Sequence, residues 1–197
     1  SDDGFVRDVH VSKLIIDPNN NNVFYATTQG ATEYTDKVGD GAGVFKSNDR
    51  GNSWTQINNG LDSLETNILT VDPNDSETLY LGTDDDGVYK STDGGESWKK
   101  LTVSSLSKSF GVGDIIVDPQ NSNNIYIGTV DYFRLSESRG VLGDFGVYKS
   151  TDGGATWEEF NAGLNHLGVF SLELSEENRI LYAGTRAGGV YWISLDN

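Results

Sequence analysis

One octapeptide recurs three times in this chain and constrains it more than any other feature. The copies are Ser47 to Trp54 (SNDRGNSW), Ser91 to Trp98 (STDGGESW) and Ser150 to Trp157 (STDGGATW). All fit the pattern S-x-D-x-G-x-[ST]-W. Each follows an apolar pair: Val44-Phe45, Val88-Tyr89 and Val147-Tyr148. The chain's 3 prolines also share one context, as Asp17-Pro18, Asp72-Pro73 and Asp118-Pro119, each closing a short apolar run. A tyrosine follows every proline at the same spacing: Tyr25, Tyr80 and Tyr126. A small-residue step comes next, at Ala26-Thr27, Gly82-Thr83 and Gly128-Thr129. A fourth copy has Ser175 in place of Asp-Pro and keeps Tyr182, Gly184-Thr185 and Val190-Tyr191. Self-similarity at a fixed period marks a repeat architecture in which each unit stacks on its neighbours.

Val, Ile, Tyr and Phe dominate the apolar runs, and these residues favour strands. The Asp-Pro-Asn clusters punctuate them as turns, and no segment sustains apolar residues at helical spacing. Each unit therefore reads as four antiparallel strands, a to d, with a ending at Asp-Pro and d starting at the tryptophan. Repetition of such units is the signature of a β-propeller. The expectation is one all-β domain over residues 1–197, with blades at about 8–60, 61–108, 109–165 and 166–197. The fourth blade is incomplete, because Asn197 follows directly on strand c. Matching Pro18 to Pro73 sets Ser1 to Val6 on Gln56 to Leu61. The pattern thus predicts either completion of the blade by the N-terminal residues or self-association through the edge Val190 to Ile193, since an unpaired strand edge is a template for another chain.

The octapeptide resembles the Asp-box, or bacterial neuraminidase repeat, of sialidases, sortilin-type receptors and two-propeller xyloglucanases. In those families the box is a structural turn on the face away from the ligand. The resemblance implies that Asp49, Asp93 and Asp152 accept hydrogen bonds from turn amides. It also implies that Trp54, Trp98 and Trp157 bury their rings between neighbouring sheets. Other motifs of these families are absent. The Arg-Ile-Pro of sialidases is replaced by Phe5-Val6-Arg7-Asp8, and the aspartate that xyloglucanases carry after strand b of the first blade by Thr28-Gln29. No catalytic residue is assigned.

Function is expected where the repeats differ, since insertions in repeat proteins map to loops on one face. The b–c connection is short in blades 2 (residues 84–87) and 4 (186–189) and long in blades 1 (28–43) and 3 (130–146). In propellers the b–c loops share the face opposite the c–d turns, which sets the two insertions across from each other. Tyr34, Asp36, Tyr132, Phe133, Arg134, Arg139 and Arg186 are the candidate ligand-binding residues. Aromatic rings beside Arg and carboxylate suit a glycan or a peptide. The run Asp84-Asp85-Asp86 offers carboxylates for Ca²⁺ without an EF-hand pattern; no other cofactor is implied.

Composition narrows the partners. The net charge of -16 repels phosphate backbones and argues against nucleic acid. There is no cysteine, and the 2 histidines, His10 and His166, are far apart in sequence, so zinc sites built on those ligands are excluded. No apolar run approaches the roughly 20 residues of a membrane span. The chain lacks an initiator Met, which fits a processed N-terminus and an extracytoplasmic setting. The expected function is a non-catalytic binding or scaffolding module using the b–c loop face. The alternative is a glycoside hydrolase with paired carboxylates on that face.

Overall fold

The structure is a computed structural model and describes residues 4, 9–30, 41–106, 110–131 and 144–196. All regular structure among the described residues is β-strand. The chain packs as two compact units, residues 1–83 with 88–100, and residues 84–87 with 101–197.

The first unit holds two sheets. One runs β1 (Val9–Asp17), β2 (Asn20–Gly30), β3 (Val44–Ser47) and β4 (Thr55–Gln56); the other runs β5 (Thr66–Asp72), β6 (Asp75–Thr83), β7 (Val88–Ser91) and β8 (Lys99–Lys100). The second unit holds a sheet of β9 (Gly111–Val117), β10 (Ile125–Val130), β11 (Val147–Ser150) and β12 (Glu158–Glu159), and a three-stranded sheet of β13 (Val169–Ser175), β14 (Ile180–Thr185) and β15 (Gly189–Ser194). Neighbouring strands are antiparallel and consecutive in the chain, so each sheet is a meander. The architecture is four β-propeller blades, the fourth one strand short.

Local chemistry sets the turns. The Asp17 carboxylate accepts the Asn19 amide at 2.8 Å, Asp72 that of Asn74 at 2.9 Å, and Asp118 that of Gln120 at 3.0 Å. Each is an Asx-type turn closing strand a. Blade 4 lacks the Asp-Pro, and Arg179 takes over its turn with a left-handed φ of 50°. Its guanidinium grips Asp118 of the preceding blade through two bonds of 3.0 and 2.6 Å. Burial works to raise the pKa of Asp118, but hydrogen bonds from Arg179 and the Gln120 amide outweigh it and hold the carboxyl below its usual range.

The cores lie between consecutive sheets. Val23, Tyr25 and Val44 of the first sheet pack against Leu69, Val71, Leu79, Leu81, Tyr89 and Trp98 of the second. In the second unit, Tyr126 and Val147 pack against Leu172, Leu174, Leu181 and Ala183. Each such side chain contributes about 1.5–3 kcal/mol by leaving water. On the strand-c side, Lys46, Lys90 and Lys149 lie over the rings of Tyr25, Tyr80 and Tyr126 at 5.5, 5.2 and 5.9 Å. They are the cross-strand partners of those tyrosines.

Three sequence expectations are corrected. The small-residue step of blade 1 is Thr27-Thr28, because Thr27 pairs with Val44 as Gly82 does with Val88. The tryptophans are not equally buried: Trp98 is 5% exposed, whereas Trp54 and Trp157 are only partly covered. Trp98 donates its indole N–H to the Ile57 carbonyl of the preceding blade at 2.7 Å, while the other two turn theirs back to their own boxes, onto Gly51 and Gly154. The N-terminal match is displaced by one residue. Gly60 (φ +93°) lies so close under the Trp98 carbonyl that an added Cβ would stand 2.2 Å from its oxygen, and Gly4 (φ +80°) has the same relation to Trp54, also at 2.2 Å. Gly4 therefore corresponds to Gly60, not Asn59; one more residue separates Gly4 from Pro18 than Gly60 from Pro73.

Candidate functional site

The b–c connections begin where a threonine ends strand b. Thr28 Oγ1 donates to the Gly43 carbonyl at 2.9 Å, Thr129 Oγ1 to that of Gly146 at 2.9 Å, and Thr185 Oγ1 to that of Gly189 at 3.1 Å. A hydroxyl, buried at Thr28 and Thr129 and half-buried at Thr185, thus ties the exit of strand b to the entry of strand c. The same oxygens accept from the far stem, Thr28 from the Ala42 amide at 2.9 Å and Thr129 from the Phe145 amide at 3.0 Å.

In the first unit the insertion of blade 1 is held by a residue of the next connection. Glu65 accepts the Gly30 amide at 2.9 Å with one carboxylate oxygen and the Gly41 amide at 2.8 Å with the other. One side chain clamps both stems of the 31–40 segment. Thr66 reinforces it: its hydroxyl accepts the Thr28 amide at 3.0 Å and contacts the Gly43 carbonyl at 3.0 Å.

In the second unit the insertion of blade 3 is closed by Asp144, which accepts the Asp131 amide at 2.9 Å. Asp131 is buried, and its carbonyl receives a hydrogen bond from the Arg186 guanidinium of blade 4. The guanidinium also stacks over the Phe170 ring at 5.2 Å. Arg186 thereby braces the stem of the neighbouring insertion. Among Asp84, Asp85 and Asp86, the first is buried and the other two are half-buried. No group of three His, Asp or Glu side chains that could hold a metal ion exists among the described residues.

The octapeptides lie at the opposite ends of the c strands. Asp93 accepts the Ser97 hydroxyl, the Ser91 hydroxyl at 2.7 Å and the Ser97 amide at 2.9 Å. Those bonds, Ser97's hydroxyl foremost, pull its pKa down to about 2. Asp152 is likewise lowered to about 2, chiefly by the Thr156 hydroxyl, and Asp49 is lowered chiefly by that of Ser53.

Comparison with known proteins places this architecture. The profile described as sortilin, neurotensin receptor 3 (Sortilin-Vps10) matches residues 42–190. The chain belongs to the Sortilin-Vps10 family. It is also similar to xyloglucanase Xgh74A of Acetivibrio thermocellus, 36% identical over 96 residues, which covers 44% of this chain and 11% of that protein. Among solved structures, the Niastella koreensis GH74 enzyme matches 94% of this chain and 28% of its own, at 27% identity and a TM-score of 0.68. An ancestral GH74 enzyme matches 92% of this chain and 22% of its own, at 25% identity and a TM-score of 0.72. The chain thus spans a small part of each of these relatives.

Within this Sortilin-Vps10 module, the structure brings Arg186, Asp131, Asp144 and Phe170 together at the blade 3 stem. Tyr34, Asp36, Tyr132, Phe133, Arg134 and Arg139 lie outside the described residues. Glu65, Thr66 and Asp144 escaped the sequence reading. Glu65 ends a d–a connection and Thr66 opens β5, neither sharing a motif with the loop they hold, so their only signal is proximity in the fold.

Proposed function

We propose that this propeller module binds a glycan without catalysing its cleavage, through residues of its long b–c insertions. The observation that carries the reading is the clamp at the insertion stems. Glu65 fixes both ends of the blade 1 insertion and Asp144 closes that of blade 3, while blades 2 and 4 make the same connection with short turns. Half-buried polar clamps on loops that the sheets do not require lower the ordering cost of a bound ligand. Relatives named as a xyloglucanase and as GH74 enzymes favour a glycan over a peptide. The proposal includes no cofactor and carries with it an extracytoplasmic location, where polymeric glycans are met.

The test is an array of xyloglucan-derived and other oligosaccharides, with peptides as a second arm. The protein is compared with a Tyr132→Ala, Phe133→Ala, Arg134→Ala variant. Expected is oligosaccharide retention by the parent, lost in the variant at an unchanged melting temperature. Retention unaltered in the variant removes the insertions from the site. The hydrolase alternative draws support from the same relatives, and reducing-end release from xyloglucan by the purified chain would establish it in place of the binding reading.

A further inference from the structure

Two faces of this molecule repeat an interface that elsewhere in the chain is buried. Leu14 and Ile16 stand on β1 at the positions that Leu69 and Val71 hold on β5, counted from the Asp-Pro turns. Leu69 and Val71 are 2% and 5% exposed, packed on Val23, Tyr25 and Val44 of the blade before them. Leu172 and Leu174 on β13 hold the same positions at 4% and 9%, packed on Tyr126 and Val147. Leu14 and Ile16 are 57% and 52% exposed. Within each unit the apolar pair on the second blade is covered by a tyrosine of strand b and a valine of strand c from the blade before it.

The second unit carries the matching tyrosine half-buried and the matching valine exposed. By strand register Tyr182 corresponds to Tyr25 and Tyr126, and Val190 to Val44 and Val147. Val44 and Val147 are 0% and 2% exposed, and Val190 is 70% exposed. Beside them, Trp192 is the cross-strand partner of Tyr182, the place taken by lysine in the other three blades. It is 66% exposed. An apolar ring has replaced a charge at the one blade where this face meets solvent. Contiguous exposed apolar side chains of this sort mark association surfaces.

We infer that two copies of the chain pair head to tail, β1 of one copy seating on the β14–β15 face of the other. The contact continues the blade-to-blade interface already present inside each unit, with Leu14 and Ile16 meeting Tyr182, Val190 and Trp192. It joins unlike faces, so each copy keeps one face free, and these two remaining faces are again unlike and can close on each other. Two closed copies carry eight blades, within the ring sizes that propellers adopt.

Sedimentation velocity of the full chain across a dilution series tests this, with two variants that each block one face. Leu14→Lys with Ile16→Lys blocks β1; Val190→Lys with Trp192→Lys blocks β15. All four positions are exposed, and melting curves verify that both variants fold. The parent is expected to approach twice its 21.4 kDa mass. Each variant alone is expected to stay monomeric, and an equimolar mixture to regain the doubled mass, because each retains the face that the other lacks. A parent that remains monomeric at every concentration overturns the inference. So does a β1-blocked variant that still dimerises alone, which would mean that like faces pair. So does a variant that loses thermal stability with no change of mass in any sample, which would mean that the two faces meet within one chain.

Discussion

The aspartates of the three octapeptides are all held below the usual carboxyl range, Asp93 and Asp152 at about 2, and their surroundings explain this without reference to a substrate. Hydroxyls from both ends of the turn, Ser91 and Ser97 around Asp93, donate to the ionised carboxylate. A carboxylate held at about 2, against an ordinary value near 4, adds stability that is complete above pH ~4. That contribution is lost as pH falls through ~2. The melting temperature of the parent should therefore drop between pH 4 and pH 2. An Asp93→Asn, Asp152→Asn variant should melt lower at pH 7 and show a shallower drop over that window; an equally steep one would contradict the assignment. The likeness of S-x-D-x-G-x-[ST]-W to the Asp-box implies a turn held by these aspartates through backbone amides, and the structure adds the two hydroxyls that dominate at Asp93. Glu65 could not be read that way. Its partners, Gly30 and Gly41, are distant in sequence and are bound through backbone amides, which leave no mark on residue type.

At the scale of the strand, the repeat fixed nearly every element in advance. Proline cannot donate within a sheet and closes strand a, the tyrosine centres strand b, and the octapeptide forces the c–d hairpin. Side-chain burial was less legible, because it depends on the neighbouring blade rather than on the motif. Trp98 finds the Ile57 carbonyl and the side chains around Tyr89; Trp54 and Trp157 satisfy their N–H groups at home. Trp98→Ala should accordingly cost about 3–5 kcal/mol in urea denaturation, the range for deleting a buried aromatic. Trp157→Ala should cost about 1–2 kcal/mol, since roughly half the apolar area is at stake. Equal losses at the two sites would mean that the shared motif, and not the local packing, sets the energetics. The match at Gly4 is displaced because the spacing between closing glycine and proline varies by one residue, and the bulges do not account for it: β1 breaks register between Val11 and Lys13 and β5 at the equivalent place, between Thr66 and Ile68.

For the whole molecule, charge and apolar surface act against each other. A net charge of -16 makes two copies repel, and this repulsion is long-ranged only while the Debye length is long, about 30 Å at 0.01 M salt and 8 Å at 0.15 M. Head-to-tail pairing should thus tighten as sodium chloride rises from 0.01 to 0.15 M, the reverse of an association built on ion pairs. Weaker pairing in salt would point to charged contacts and away from Leu14, Ile16 and Val190. The joint between blades has a consequence on a longer timescale. A glycine that ends one blade caps the tryptophan carbonyl of the next, at Gly60 with Trp98 and at Gly4 with Trp54. The same close fit recurs at these two places, whereas Ser104 holds the matching position of blade 2 and Gly163 of blade 3 has no atom that an added Cβ would meet. Duplicating residues 5–60 in the gene would set Gly60 against a second copy of the Trp54 carbonyl and leave the copied glycine to face Trp98. Blade number in such a lineage is then a heritable variable that can change in a single recombination event, with no need to invent a new seam.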